Sequence, residues 1–352
     1  MDETGQPPDD AAFVEDAAEI TYFYLRVAII LLVALLAVAV LREDRSPASG
    51  VPLGSISASW YTPVQSIFVA VLVGAGVAMI AIRGRGIQEP LLNVAGLFAP
   101  IVAFVPTPEP VRGPCFHLAP DPTLAGQQPP AVADGGWDPA ACQEFVARID
   151  GALVPYFWVS SVAIVAAFVY VLLRTRNPAL VYRDSSGGIA RWFRDRFLRG
   201  DTREPSRGEE VVGVLLIALV WGGAIVWYAA GRTSFLLWAH ELGGGFVFLP
   251  MALVALLAGE AALRGRTAAA QTFGDTGRRT TAVIYGVVAL AMVVGIVLTA
   301  GLHATGLTDD SHRWFWAWEW VLLGGFWLFW CVQTFEARIP RLTGRPTTER
   351  LI

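Results

Sequence analysis

The chain has 352 residues, of which 55% are hydrophobic and only 16% are charged, and its formal net charge is −4. A soluble domain carries roughly 25% charged residues, so this composition excludes an ordinary soluble protein and predicts an all-α, polytopic integral membrane protein. All 26 basic residues are arginine, and their positions carry more information than the net charge.

The acidic N-terminal segment, residues 1–19, holds seven acids and no arginine, which is the opposite of the basic start of a signal peptide. We therefore expect the first apolar run to remain as a span. A span needs about 20 apolar residues, and eight segments qualify as spans 1 to 8: 20–41, 62–82, 91–105, 154–173, 211–230, 235–262, 281–302 and 314–335. The third is short and contains Pro100, so a re-entrant segment is the competing interpretation.

The orientation follows from the arginines, because loops rich in arginine stay on the cytoplasmic side. With eight spans and both termini cytoplasmic, the inner loops hold nineteen arginines, nine of them at 174–207, and the outer loops hold six. Arg26 falls inside span 1, where we expect it to snorkel to the interface with Glu19 as its partner. The chain then divides into an acidic segment (1–19), spans 1–3 (20–105), an extracytoplasmic loop (106–153), span 4 (154–173), an arginine-rich cytoplasmic loop (174–210), spans 5–8 (211–335) and a basic tail (336–352). A plasma membrane location fits this pattern.

The entry to span 2 is rich in serine and aromatic residues. In this part the chain resembles a group of actinobacterial-like multi-span membrane proteins, over about residues 55–107. The shared features are Ser55, Ser57, Ser59, Trp60 and Tyr61, then Phe68 and Val69, the turn at Arg83 and Gly84, and a span that ends near Pro106 and Thr107. The resemblance implies the multi-span fold and no particular activity.

The outer loop 106–153 contains Cys115 and Cys142, which predict a disulfide because this loop faces an oxidising compartment and has little core of its own. Asp138 and Pro139 have the residue types of a helix N-cap and first turn, which predicts a short helix over about 139–150.

The arginine-rich loop contains a basic amphipathic helix. Its apolar positions recur at helical spacing, and the residues expected at the lipid surface are Arg191, Trp192, Arg194, Arg196 and Arg199. Such a helix favours membrane lipids with anionic headgroups as partners. Ordinary topological anchoring is the alternative. Nucleic acid is not expected, because the aromatic face is suited to lipid.

A polar cluster is predicted at the outer ends of spans 6–8. Its expected members are His240, Glu241, His303, His312, Arg313 and Glu319. Ionisable groups inside spans cost several kcal/mol at mid-bilayer, so each is a candidate for function. Glu319 lies two turns into a tryptophan-rich segment, and we expect His240 to be its partner.

Three interpretations of this cluster remain open: a structural ion-pair network, an outward-facing pocket for a small molecule or lipid headgroup floored by Gly243–Gly245, and a metal centre. The metal centre would use His240, His303 and Glu319 around zinc, and a haem between His240 and His303 is a further option. The leading function is therefore an outward-facing binding or sensing module. A membrane-embedded metal-dependent hydrolase and a transporter are the alternatives, so whether the protein is an enzyme stays open.

Overall fold

The computed structural model describes residues 10–48, 52–82, 86–107, 139–175, 207–304 and 314–343, with side chains described over 20–48, 52–82, 86–107, 143–169, 211–301 and 315–339. Within these ranges the fold is all-helical and contains no strand. The α-helices are α1 (Asp10–Arg45), α2 (Gln65–Ala81), α3 (Gln88–Phe104), α4 (Pro139–Thr175), α5 (Arg207–Ala230), α6 (Arg232–Leu263), α7 (Ala268–Ala304) and α8 (Trp314–Thr343).

Each predicted span coincides with one of these helices. Six of them (α1 and α4 to α8) are long and apolar enough to cross a membrane, which makes the chain a multi-pass membrane protein. The remaining two, α2 and α3, have 17 residues each. Their length is about 25 Å at 1.5 Å per residue, against a hydrocarbon core of about 30 Å.

The short helix α3 occupies the centre of the bundle, packed against α2, α4, α5 and α6, while α7 and α8 continue the assembly from α6 and return it to α1. The backbones of α2 and α3 touch at two glycines. A Cβ atom on Gly76 would lie 2.7 Å from the carbonyl oxygen of Gly96, and a Cβ on Gly96 would lie 2.6 Å from that of Gly76. Small residues at such a crossing let two membrane helices approach closely, so these positions set the separation of α2 and α3.

The segment between α1 and α2 is inserted among the helices. Residues 53–60 are buried except for the half-buried Gly54, and Ser57–Tyr61 form a short 3-10 helix. Trp60 donates its indole N–H to the carbonyl of Ala103 at 3.1 Å, which fastens the segment to the end of α3. Non-helical backbone at membrane depth is stable only where protein or water satisfies it. We call residues 52–64 the inserted loop; the sequence indicated only an interfacial entry here.

Two helices differ from the predicted boundaries. The helix predicted to begin at Pro139 does begin there, but it continues without a break through Pro155 into span 4 as the single helix α4. In α7 the backbone is non-helical at Gly274, where φ is 59° and ψ is −139°, so the span proper follows this kink. A positive φ costs glycine little because it has no Cβ.

Two predictions fall beyond what the structure describes. The lipid-surface residues of the arginine-rich loop and Cys115 lie outside the described residues, and Cys142 is described only in its backbone. The interfacial helix and the disulfide therefore remain predictions.

Candidate functional site at the inserted loop

His240 on α6 is held at both ring nitrogens. Its Nδ1 lies 2.7 Å from the carbonyl oxygen of Val105, and its Nε2 lies 2.7 Å from the hydroxyl of Ser57. The Val105 carbonyl belongs to the C-cap of α3, where carbonyls have no partner within the helix. The imidazole thus satisfies a helix end and reaches the inserted loop, and it is only 7% exposed.

Glu319 on α8 binds the same loop from the other side. Its Oε1 accepts a hydrogen bond from the Ser57 hydroxyl at 2.8 Å, and its Oε2 accepts one from the backbone N–H of Ile56. Two donors on consecutive residues therefore fix both carboxylate oxygens. Glu319 is half-buried, and donors of this kind stabilise its carboxylate because hydrogen bonds to a charged group are stronger than those between neutral groups.

The predicted meeting of His240 and Glu319 occurs through a third residue. Sequence reasoning placed the two side chains in direct contact at matching depth. In the structure the hydroxyl of Ser57 lies between them and hydrogen-bonds to both. The inserted loop, α6 and α8 are joined at this one oxygen atom.

Glu241 faces a different direction from His240, since adjacent residues on a helix point about 100° apart. Its Oε1 accepts a hydrogen bond from the Thr107 hydroxyl at 3.0 Å, and the Thr107 carbonyl accepts one from Tyr61 at 2.8 Å. The other oxygen, Oε2, is buried and has no hydrogen-bond partner among the described residues. Glu241 is itself only partly buried, so this oxygen is an acceptor close to a surface.

Aromatic rings surround these polar groups. Trp60 and Tyr61 both pack on Phe145 of α4, with ring centroids 5.3 and 6.1 Å apart respectively. On α8, Trp316 and Trp320 pack on each other at 5.5 Å and contact the apolar side of the inserted loop. Carboxylates beside aromatic rings form an environment that favours cations over anions.

Three other members of the predicted cluster have side chains outside the described part of the structure, namely His303, His312 and Arg313. The glycine floor stays a prediction: a Cβ on Gly243 would meet Val102 of α3 at 3.0 Å, whereas Gly244 and Gly245 face open space. Only the first of these three glycines is a packing position.

The described side chains contain no group of three histidine, cysteine, aspartate or glutamate residues able to hold a metal ion. Both nitrogens of His240 are already hydrogen-bonded, so neither faces an open coordination position. Because His303 is outside the described side chains, the zinc and haem hypotheses for His240, His303 and Glu319 stay predictions.

A second buried polar cluster lies at the other end of the bundle. The hydroxyl of Tyr285 on α7 donates to Glu336 on α8 at 2.6 Å, and both side chains are buried. Arg26 is 4% exposed and donates to the carbonyl of Gln333 at 3.4 Å, close enough to act on the charge of Glu336. Arg26 is therefore enclosed by protein near α8, although the sequence predicted that it snorkels. The side chain of Glu19, its expected partner, is not described.

Sequence reasoning missed the residues that organise the candidate site, namely Ser57, Thr107 and the backbone groups of Ile56 and Val105. The repeated serines at 55, 57 and 59 were the available signal. They looked like an interfacial segment, because spacing along a chain does not report how deeply a loop is inserted.

No protein-family model, curated protein or solved structure matches this chain.

Proposed function

We propose that this chain is an outward-facing binding module of the plasma membrane that takes a compound carrying an ammonium group. The same chemistry is presented by a soluble primary amine and by an ethanolamine lipid headgroup. In this proposal α2 and α3 also cross the membrane, which makes eight spans with both termini cytoplasmic. The excess of inner arginines and the enclosed position of α3 support that arrangement.

The observation that carries the proposal is the carboxylate of Glu241. One of its oxygens is bonded to Thr107, and the other is buried with no donor among the described residues. An unsatisfied buried acceptor is costly, and a bound N–H donor with a positive charge removes that cost. The Tyr61 ring, joined to Glu241 through Thr107, supplies an aromatic neighbour for the cation.

The soluble-ligand test uses purified protein in detergent and three probes at equal ionic strength: butylammonium, tetramethylammonium and butanol. Butylammonium should raise the unfolding temperature by a few degrees at about ten times its Kd, because ligand binding to the folded state stabilises it. Tetramethylammonium lacks an N–H donor and should act less, and butanol lacks the charge and should have no effect.

The matched variants are Glu241→Gln and Glu260→Gln, both on α6. Glu260 pairs with Arg264 at the other end of this helix, so its variant should keep the response to butylammonium. The Glu241→Gln variant should lose it. Equal responses in both variants would contradict the proposed site.

The lipid source is distinguished in nanodiscs. Phosphatidylethanolamine should stabilise the wild-type protein relative to phosphatidylcholine if the ammonium group comes from a headgroup, and Glu241→Gln should abolish the difference. A response to butylammonium without a difference between the two lipids would identify the ligand as a soluble amine.

A hydrolase is the second candidate, and one observation favours it. Ser57 and His240 have the separation of a nucleophile and its general base, 2.7 Å, with the other ring nitrogen oriented by Val105. Labelling of Ser57 by a fluorophosphonate would support this alternative, and no labelling at that residue would remove it. A transporter has less support, because the buried face of α8 between Glu319 and Glu336 consists of Leu322, Phe326, Phe329 and Trp330.

A further inference from the structure

We infer that Ser57, His240 and Glu319 form a proton-binding site, in which one proton is shared between the histidine and the glutamate through the serine hydroxyl. These residues neighbour the proposed amine site at Glu241 but form a separate set of hydrogen bonds, and the shared proton requires no ligand.

The backbone contact of His240 fixes the state of one ring nitrogen. A carbonyl oxygen only accepts hydrogen bonds, so the 2.7 Å contact between Nδ1 and Val105 requires a hydrogen on Nδ1. The charge of His240 then depends only on whether Nε2 also carries a hydrogen.

The Ser57 hydroxyl has a single hydrogen, and its oxygen lies 2.7 Å from Nε2 of His240 and 2.8 Å from Oε1 of Glu319. If that hydrogen points to Glu319, then Nε2 must be the donor in the other contact, and His240 is an imidazolium opposite a carboxylate. If it points to His240, then Oε1 must be the donor, and Glu319 is a neutral acid opposite a neutral imidazole.

The two arrangements contain the same atoms. In passing from the second to the first, Oε1 gives its proton to Ser57 Oγ while Ser57 gives its own proton to Nε2. The backbone N–H of Ile56 donates to the other oxygen, Oε2, in both arrangements, so it leaves Oε1 as the oxygen that exchanges. The pair keeps a net charge of zero throughout and holds one proton that neither residue owns alone.

The three residues come from the inserted loop, α6 and α8. Ser57 and His240 are each 7% exposed, and Glu319 is half-buried. Bulk water is therefore largely excluded from the contact between Ser57 and His240, and the serine hydroxyl is the route along which the proton passes. Any displacement of α8 from α6 would break this route, so the shared proton also reports on the relative position of the helices.

The test is 15N nuclear magnetic resonance of histidine-labelled protein in phosphatidylcholine bilayers, without added amine. The chain has four histidines, so a His240→Gln variant identifies the two signals of His240 by their loss. In the wild type, Nδ1 should be protonated, and Nε2 should resonate where a proton is at least partly present. In Glu319→Gln, the exchangeable proton is removed and Nε2 should shift to the unprotonated position.

Serine variants complete the design. Ser57→Ala should shift the Nε2 signal, and Ser57→Thr should retain the wild-type position because it keeps the hydroxyl. Ser59→Ala is the matched control, since Ser59 is buried in the same loop and its hydroxyl has no partner among the described residues. It should leave the signal unchanged.

An Nε2 signal at the same position in the wild type and in Glu319→Gln would overturn the inference, as would an unprotonated Nδ1. Should Ser57→Ala fail to fold, the Glu319→Gln and Ser57→Thr spectra still decide. Because no amine is present, this result is separate from that of the ligand experiments.

Discussion

His240 and Glu319 bind the two sides of one serine hydroxyl, at 2.7 and 2.8 Å from the oxygen of Ser57. They are 79 positions apart in the chain and belong to different helices. A residue of the inserted loop thus joins α6 to α8. This end of the bundle depends on the junction, because the buried Ser57 and His240 and the half-buried Glu319 are polar groups that satisfy one another.

The first prediction is energetic coupling between these two residues. His240→Leu and Glu319→Leu each remove one of the two partners of the Ser57 hydroxyl and the side-chain partner of a backbone group, so each should lower the free energy of unfolding by a few kcal/mol. The double variant should cost less than the sum, with a coupling of about 0.5–3 kcal/mol. Denaturation in detergent of the four proteins measures it, and strictly additive losses would mean that Ser57 does not connect the two residues.

The second prediction concerns the contact between α2 and α3. Gly76→Ala introduces a Cβ atom 2.7 Å from a backbone oxygen that has no freedom to move away. Overpacking of this kind costs about 1–3 kcal/mol. Gly222→Ala on α5 is the control, because a Cβ there has no heavy atom within 4 Å. The unfolding temperature of Gly76→Ala should therefore be lower than that of Gly222→Ala. Equal unfolding temperatures for the two variants would show that α2 and α3 are not in backbone contact.

The third prediction concerns the polar cluster of Tyr285 and Glu336. Tyr285→Phe removes the hydroxyl that donates to Oε2 of the buried Glu336 at 2.6 Å. We expect a loss of about 1–3 kcal/mol in the free energy of unfolding. Tyr24→Phe serves as the comparison, since Tyr24 is 64% exposed and its variant should be neutral. Similar stabilities for both variants would argue that the Tyr285 hydrogen bond contributes little.

The fourth prediction is the topology. In a background with Cys115, Cys142 and Cys331 replaced by alanine, Gly126→Cys should react with a membrane-impermeant maleimide in intact cells. Gly187→Cys, in the arginine-rich loop, should react only after permeabilisation, because that loop is expected to be cytoplasmic. The opposite pattern would reverse the orientation of the entire chain and place the proposed amine site on the cytoplasmic side.

The sequence by itself determined the helical class and the position of each helix. Runs of about 20 apolar residues have few alternatives to a helix in a bilayer, because every backbone N–H and C=O must be paired within the segment. Local residues also set some boundaries, as Pro139 does at the start of α4. Helices α2 and α3 have 17 residues each, and this length alone does not decide whether they cross the membrane.

Only the tertiary structure decided how deep the loop between α1 and α2 lies, and therefore which groups His240 and Glu319 bind. Periodicity reports the faces of a helix, whereas the depth of a loop depends on the space that distant helices leave for it. Ser57 enters that space because Trp60 is bonded to the end of α3 and Glu319 receives the donors of Ile56 and Ser57. Trp60 lies more than 40 residues from its partner Ala103, and Ile56 lies more than 260 residues from Glu319. No pattern along the chain encodes contacts between positions so far apart.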